Sequence, residues 1–395
     1  MLKTQSNTDQ FHRLRLSDVD PLTADSVMLT FEVPEHLKTA YQFIPGQYLT
    51  LRQRIEGSLI SRCYSICSSP SEDKLSVAIR KIDSGCFSNF AVDKLAVNDE
   101  LEVLTPSGRF QLVPKQANPH TACYVGVAGG SGITPIMSMI QTLLSQNTNN
   151  QFVLFYANRS KQTMMFRRQL LRLQEQYKAR FFLMPFFTEE GDDENMIHHT
   201  IALSLKGNLD IELTADLLNK RKAKVDVLPD LNQAEGWYLC GPQTMTERVQ
   251  EVLAVNRVSK SKVHRELFFV PEARLEKDVQ QAGGEDENFT ENGSQLSQNN
   301  VQKALKVSVI HGDQTLNFNW NPEYEFILNQ ALELKEDLPH ACQFGACGTC
   351  KAKVVKGRVR MKENMALDDD ELNQGYVLTC QAQPDSEDVV IRYED

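Results

Sequence analysis

The chain of 395 residues is too long for one hydrophobic core and implies two to four domains. Its hydrophobic fraction of 41% suits globular folding, its net charge of −10 argues against a nucleic-acid partner, and no apolar run approaches the ~18 residues of a membrane span. Met1–Gln10 is polar, with no export-signal core, so the nine cysteines point to a reduced, cytoplasmic setting. The charge is uneven: residues 304–395 carry −7, residues 271–303 carry −4 and the remainder +1. An acidic C-terminal end serves solubility or steers docking to a basic protein surface.

Residues 8–115 read as all-β. Short alternating runs such as Val27–Val33 and Leu75–Ile79 are separated by proline and glycine turns. Phe43–Tyr48 leads into a strand and Arg62–Ser68 closes the next; each in isolation is also an ordinary strand with turn residues. Arg62 can neutralise a phosphate with a forked donor, and Tyr64 can stack a ring and offer its hydroxyl. Gly85-Cys86-Phe87-Ser88 follows, then Pro106-Ser107-Gly108-Arg109-Phe110.

Residues 120–270 alternate strand and helix, the signature of a doubly wound parallel sheet. A buried strand, Tyr124–Ala128, runs into Gly129-Gly130-Ser131-Gly132-Ile133-Thr134-Pro135 and a helix predicted over Ile136–Leu144. Such a turn sets backbone donors and the helix dipole against a diphosphate, although its glycines do not make G-x-G-x-x-G. The next strand, Phe152–Tyr156, ends at Asn158-Arg159-Ser160. On their own Arg159 and Ser160 read as a solvated loop pair. Arg167 and Arg168 add charge or face water. The acidic stretch 189–195 with His198 and His199 reads as an exposed excursion without a metal. Trp237–Cys240 precedes Gly241-Pro242, where a helix is expected to begin, and His264–Phe268 closes the domain. Residues 271–303, poor in apolar side chains, read as a solvated linker.

Residues 304–395 hold Cys342, Cys347 and Cys350 at C-x4-C-x2-C spacing, with Cys380 further on. Four thiolates so spaced suit a plant-type [2Fe-2S] cluster, with Gly345 and Gly348 allowing the loop to turn. A zinc ribbon would pair two C-x2-C knuckles, and here there is one.

These motifs, in this order, resemble the ferredoxin–NADP reductase superfamily fused to a plant-type ferredoxin domain. The likeness is to oxygenase reductases of the phenylacetyl-CoA epoxidase type, with ketosteroid hydroxylase and desaturase reductases nearby. The resemblance implies a multidomain fold: an antiparallel β-barrel flavin domain (8–115), an α/β doubly wound nucleotide domain (120–270), a flexible linker (271–303) and an α+β, β-grasp ferredoxin domain (304–395). It implies FAD, NADPH and a [2Fe-2S] cluster as cofactors, and an oxygenase, hydroxylase or desaturase as electron acceptor. Arg62, Tyr64 and Ser65 fall on the family's R-x-Y-S motif, the serine near the reactive flavin nitrogen. Gly85, Phe87 and Ser88 fall on its flavin-pyrophosphate segment, and Pro106–Phe110 leans towards FAD over FMN. Gly129, Gly130, Gly132 and Thr134 match its pyridine-nucleotide turn, and Arg159 and Ser160 its 2′-phosphate loop. Cys240, Gly241 and Pro242 match its C-G-P segment beside the nicotinamide; Cys240 alone is also an ordinary strand-end cysteine. Glu266 and Phe268 match an E-x-F that packs near the flavin. Ser65, Cys240 and Glu266 are thereby the candidate catalytic residues.

Overall fold

The computed structural model describes residues 11–113, 121–146, 149–190, 196–205, 228–267, 305–335 and 337–393. Two compact units divide the chain, Met1–Phe268 and Phe269–Asp395.

The first unit opens with strands β1 to β6: His12–Thr23, Ser26–Glu32, Tyr48–Ile55, Ser58–Ser65, Leu75–Arg80 and Glu100–Val103. They form one antiparallel sheet in the order β4-β3-β6-β1-β2-β5. A bridge between Ile66 and Val77 ties the end of β4 to β5 and closes the sheet on itself. Period-two patterning drives this: Leu14 and Leu16 point inward while Arg13 and Arg15 stay exposed. Helix α1 (Cys86–Asp93) buries Phe87 and Ala91 in the same core.

A parallel sheet follows, of β7 (Cys123–Gly129), β8 (Gln151–Asn158), β9 (Phe181–Phe187), β10 (Gly236–Gly241) and β11 (Val263–Leu267). Its order is β11-β10-β7-β8-β9. The chain steps outward from β7 to β9 and then returns to the other side of β7, so the switch in winding lies between β7 and β10. Helices α2 (Ile133–Ser145), α3 (Arg167–Gln176), α4 (Met196–Leu205) and α5 (Gln243–Val255) accompany these strands. The near-continuous apolar content of β7 to β10 fits burial on both faces. One core layer joins α2 and α3 to Cys67, Ala78, Phe110 and Leu112 of the barrel, so both domains share a core.

Helix α2 begins at Ile133, earlier than the Ile136 expected from sequence. Pro135 lies in its first turn, where a missing N–H costs little. The exposed excursion expected over 189–199 is corrected at His198, while Glu189 and His199 are exposed. His198 is buried on α4, with Nε2 3.3 Å from the Met245 carbonyl oxygen, and burial lowers its pKa. Residues 191–195 of that stretch lie outside the described residues, as do the linker 271–303 and Phe268.

The second unit contains β12 (Lys306–His311), β13 (Gln314–Asn319), α6 (Ile327–Leu334), β14 (Lys351–Lys356), β15 (Val359–Met361), α7 (Asp369–Asn373), β16 (Tyr376–Leu378), β17 (Ala382–Pro384) and β18 (Asp388–Arg392). The main sheet runs β13-β12-β18-β14-β16, with β12 and β18 parallel and the other neighbours antiparallel. Helix α6 buries Ile327, Leu328 and Ala331 in a core with Val307, Val309, Val389 and Ile391. β18, carrying Val389 and Ile391, is thus the central strand, and the cysteine loop connects α6 to β14.

Candidate functional site

The end of β4 places Ser65, buried, against β11 of the nucleotide domain. Its hydroxyl donates to the Glu266 carboxylate over 3.4 Å, across 201 positions of sequence. Glu266 is the register partner of Cys240 on the neighbouring parallel strand. Three residues from two domains therefore meet in one seam. Glu266 keeps some solvent-accessible surface yet lies deep among protein atoms, and burial pushes its pKa up to about 8, against a smaller lowering by Ser65. Cys240 is fully buried, and burial together with the nearby Glu266 holds its thiol protonated well above the ordinary range. The seam offers a neutral, proton-bearing carboxyl rather than a pair of charges.

The glycine-rich turn and the C-G-P turn interlock at the switch point. A Cβ on Gly132 would stand 2.3 Å from the Cys240 carbonyl oxygen, and one on Gly241 would stand 2.8 Å from the Gly129 nitrogen. Gly241 has φ +149°, and a Cβ on Gly129 would meet the Pro242 ring at 2.5 Å. Only glycine lets these two backbones approach. Gly130 differs: it is half-exposed with φ +53°, and a Cβ there would meet only an Arg80 nitrogen, at 3.4 Å. The open part of the turn, Gly130–Ser131, is where a diphosphate would find backbone donors and the N-terminus of α2, which has no side-chain cap. Thr134 turns its hydroxyl back to the Ser131 carbonyl (3.1 Å), a structural bond inside the turn. The expected helix start at Pro242 lies one residue early: Pro242 is the N-cap of α5.

Arg159 is exposed at the C-terminal end of β8, and Ser160 is held by Thr163, whose hydroxyl accepts the Ser160 N–H at 3.1 Å. Arg80 does not stand out in the sequence. It reaches from the barrel to the Thr163 carbonyl, stands beside Gly130 and pairs with Asp25 at 3.4 Å. It thus links the two turns expected to take nucleotide phosphates; a cation ending a barrel strand is the only signal the sequence offers for it.

On the barrel, Arg62 is exposed and its guanidinium donates to the Ser61 carbonyl at 2.8 Å. Tyr64 packs on Phe87 with ring centroids 5.6 Å apart. Phe87 is a core residue, and the Ser88 hydroxyl is used locally: it donates to the Gly85 carbonyl (3.3 Å) and accepts the Ile82 N–H (3.2 Å). Gly85 begins α1 without a side-chain cap, and a Cβ there would meet Ser88 Oγ at 2.4 Å. An uncapped helix start close to the Arg62 guanidinium fits a flavin pyrophosphate, while the Phe87 and Ser88 side chains support the turn rather than reach outward.

Within the cysteine loop, Cys342 and Cys347 sit together: the Cys347 N–H donates to Cys342 Sγ at 3.3 Å and the Cys342 N–H to Cys347 Sγ at 3.5 Å. Cys350 and Cys380 form a second, buried pair near Cys347. Among the described residues no three His, Cys, Asp or Glu side chains converge as a single-ion site requires. Two neighbouring thiol pairs match a centre of two irons, each taking two thiolates. Hydrogen bonding to Cys347 and burial push the Cys342 thiol up, and pairing with Cys380 and burial do the same for Cys350. Binding of iron must therefore drive these protons off. Gln343, Gly345 and Gly348 adopt positive φ, which turns the loop. Gln381 donates to the Gln343 carbonyl (3.0 Å), and Thr379 donates to the Cys350 carbonyl (3.2 Å).

This fold and these sites define a flavin- and pyridine-nucleotide-dependent oxidoreductase carrying an iron–sulfur domain. The chain matches the oxidoreductase FAD-binding domain over residues 13–112, the oxidoreductase NAD-binding domain over 127–251 and the 2Fe-2S iron-sulfur cluster binding domain over 310–385. It is 36% identical to one of the subunits of the 1,2-phenylacetyl-CoA epoxidase of Escherichia coli over 385 residues, covering 97% of this chain and 98% of that protein. It is 29% identical to the ferredoxin reductase component of a Rhodococcus rhodochrous 3-ketosteroid-9-alpha-monooxygenase, covering 96% of each. Among solved structures, phthalate dioxygenase reductase shares the fold across 99% of this chain and all of that one, at TM-score 0.53 and 19% identity. The protein belongs to the family of oxygenase reductase components built from consecutive FAD-binding, NAD-binding and [2Fe-2S] domains.

Proposed function

We propose that the protein is the reductase component of a multicomponent oxygenase, taking its electrons from NADPH and serving an epoxidase of the phenylacetyl-CoA type. The observation that carries this reading is the likeness to the Escherichia coli epoxidase protein along nearly the whole of both chains, cysteine loop included. FAD, when bound, would supply two-electron hydride chemistry and a [2Fe-2S] centre single-electron transfer, which matches a two-electron donor to a one-electron acceptor.

The chain's own residues prepare this chemistry. Gly130 and Ser131 present backbone donors to the nucleotide diphosphate, and Arg80 adds charge beside them. Arg159 and Ser160 take the 2′-phosphate, which selects NADPH. Cys240 bounds the nicotinamide position from the sheet side. Glu266 stands beside Cys240 on the adjacent strand, with Ser65 of the barrel against it, and the raised pKa of Glu266 keeps a proton in place at neutral pH. Arg62, Tyr64 and the start of α1 hold the flavin. Cys342, Cys347, Cys350 and Cys380 hold the cluster, and the backbone N–H of Phe344, which donates to Cys342 Sγ at 3.4 Å, adjusts its potential. We assign the flavin domain to 8–115, the nucleotide domain to 120–270, the linker to 271–303 and the ferredoxin domain to 304–395. We assign a cytoplasmic location, a reducing compartment that suits these thiols.

Anaerobic NADPH added to the purified protein should bleach the flavin and then the cluster. Mixed with its oxygenase partner proteins, the chain should support epoxidation of phenylacetyl-CoA. Flavin that stays oxidised in NADPH would sink the reading. Turnover of a ketosteroid hydroxylase or acyl-lipid desaturase, without the epoxidase, would reassign the partner.

A further inference from the structure

Helix α2 carries polar side chains at the i, i+3 and i+4 positions Ser138, Gln141 and Thr142, on a helix that is otherwise apolar between Thr134 in its first turn and Ser145 at its end. All three are spent on one barrel segment. The Ser138 hydroxyl donates to the Ser68 carbonyl at 2.6 Å. The Gln141 amide donates to the Cys67 carbonyl at 3.0 Å. The Thr142 hydroxyl donates to the Ser138 carbonyl at 2.7 Å, which leaves its oxygen to accept from Ser69 at 3.1 Å. Ser138 is fully buried, and Ser68, Ser69 and Thr142 are buried with it.

Polar groups at a buried interface are costly unless satisfied, and apolar faces alone would allow the helix to slide. Directional bonds to backbone carbonyls permit one register only. The location gives that register a use. Cys67–Ser69 follows, after Ile66, the strand that ends at Ser65, and α2 directly continues the turn ending at Gly132, which packs on Cys240. The three bonds therefore join the two halves of the hydride path at their roots.

We infer that Ser138, Gln141 and Thr142 are positioning residues: by fastening α2 to Cys67–Ser69 they set how the nucleotide turn stands against Ser65, and so govern the rate of hydride delivery rather than nucleotide affinity. The inference rests on the hydride-accepting function proposed above. A misplacement of about 1 Å between reacting groups costs up to roughly a hundredfold in rate, whereas Gly130–Ser131 and Arg159–Ser160, proposed to hold the two phosphate groups, lie together on the nucleotide-domain side, with Arg80 the barrel residue beside them.

The test uses full-length protein carrying FAD and the cluster. Ser138→Ala, Gln141→Met and the double variant are mixed anaerobically with NADPH, or with NADPH deuterated at the transferred position, and flavin bleaching is followed. NADP+ affinity is measured separately by calorimetry. The double variant should lower the limiting rate by about tenfold or more with a larger isotope effect, while affinity stays within about twofold of wild type. Thr200→Val, which removes a buried hydroxyl that donates to Met196 within α4, should leave the rate unchanged. A limiting rate near wild type in the double variant, or a parallel fall in rate and affinity, would overturn the inference. If the double variant does not fold, Gln141→Met, at a half-buried position, is judged by the same criteria. Wild-type protein that is not bleached at all would defeat the proposed function instead, so the two failures are distinct.

Discussion

Replacing Glu266 with glutamine should remove a pH-dependent loss of stability. Burial holds this carboxyl protonated in the folded chain until about pH 8, whereas unfolded it ionises near its ordinary value of 4.5. Between those values the folded state binds a proton that the unfolded state has released, so wild-type stability falls as pH rises. At about 1.4 kcal/mol per pH unit the whole window would amount to roughly 5 kcal/mol. Solvent reaches part of the side chain, so about 2–3 kcal/mol is the expected loss. Glutamine does not titrate. Glu266→Gln should therefore match wild type or fall slightly below it near the acid end, gain on it steadily through neutrality, and hold a constant advantage above the folded pKa. Denaturant unfolding of both holoproteins across this range, followed at the flavin, measures the difference directly. A difference that does not change with pH would show that Glu266 is ionised in the fold and would remove it as a proton-bearing group.

Other outcomes follow from the same geometry. Gly132→Ala places a methyl against the Cys240 carbonyl, a backbone atom that has nowhere to move; it should cost about 2–4 kcal/mol in thermal unfolding and largely abolish NADPH oxidation. Cys347→Ser should lose the iron–sulfur absorbance yet keep NADPH-driven flavin reduction, because the cysteine loop lies in the second compact unit; loss of flavin reduction as well would refute the modular reading. Arg159→Ala removes a charge-assisted contact of roughly 1.5–3 kcal/mol and should raise KM for NADPH by about 10- to 100-fold with little change for NADH. Equal changes for both nucleotides would take Arg159 out of the 2′-phosphate site.

What is local in this protein is legible in its residues alone. The spacing of Cys342, Cys347 and Cys350 marks three of the four proposed cluster ligands, because a tight loop brings near neighbours to one place; Cys380 joins them only through the fold. The glycines at 129, 130 and 132 announce a strand-to-helix turn, because backbone freedom is written in the residue type. Period-two runs mark the barrel strands, and unbroken apolar runs mark the parallel ones. The start of α2 escapes such reading because proline looks like a break, although a first helical turn tolerates it. His198 escapes it because an acidic stretch before it suggests exposure, while the buried face of α4 is set by its packing against Met245.

Which distant residues meet is settled by the fold. Ser65, Cys240 and Glu266 converge because β10 and β11 lie side by side and the barrel docks at their ends. Gly132 and Gly241 are mutually obligatory because the sheet order makes β7 and β10 neighbours. Arg80 and the hydrogen bonds along α2 gain meaning only through that docking. Periodicity and turn chemistry act over a few residues, whereas strand order and domain docking are set by the summed burial of many side chains. No short stretch of sequence records that sum.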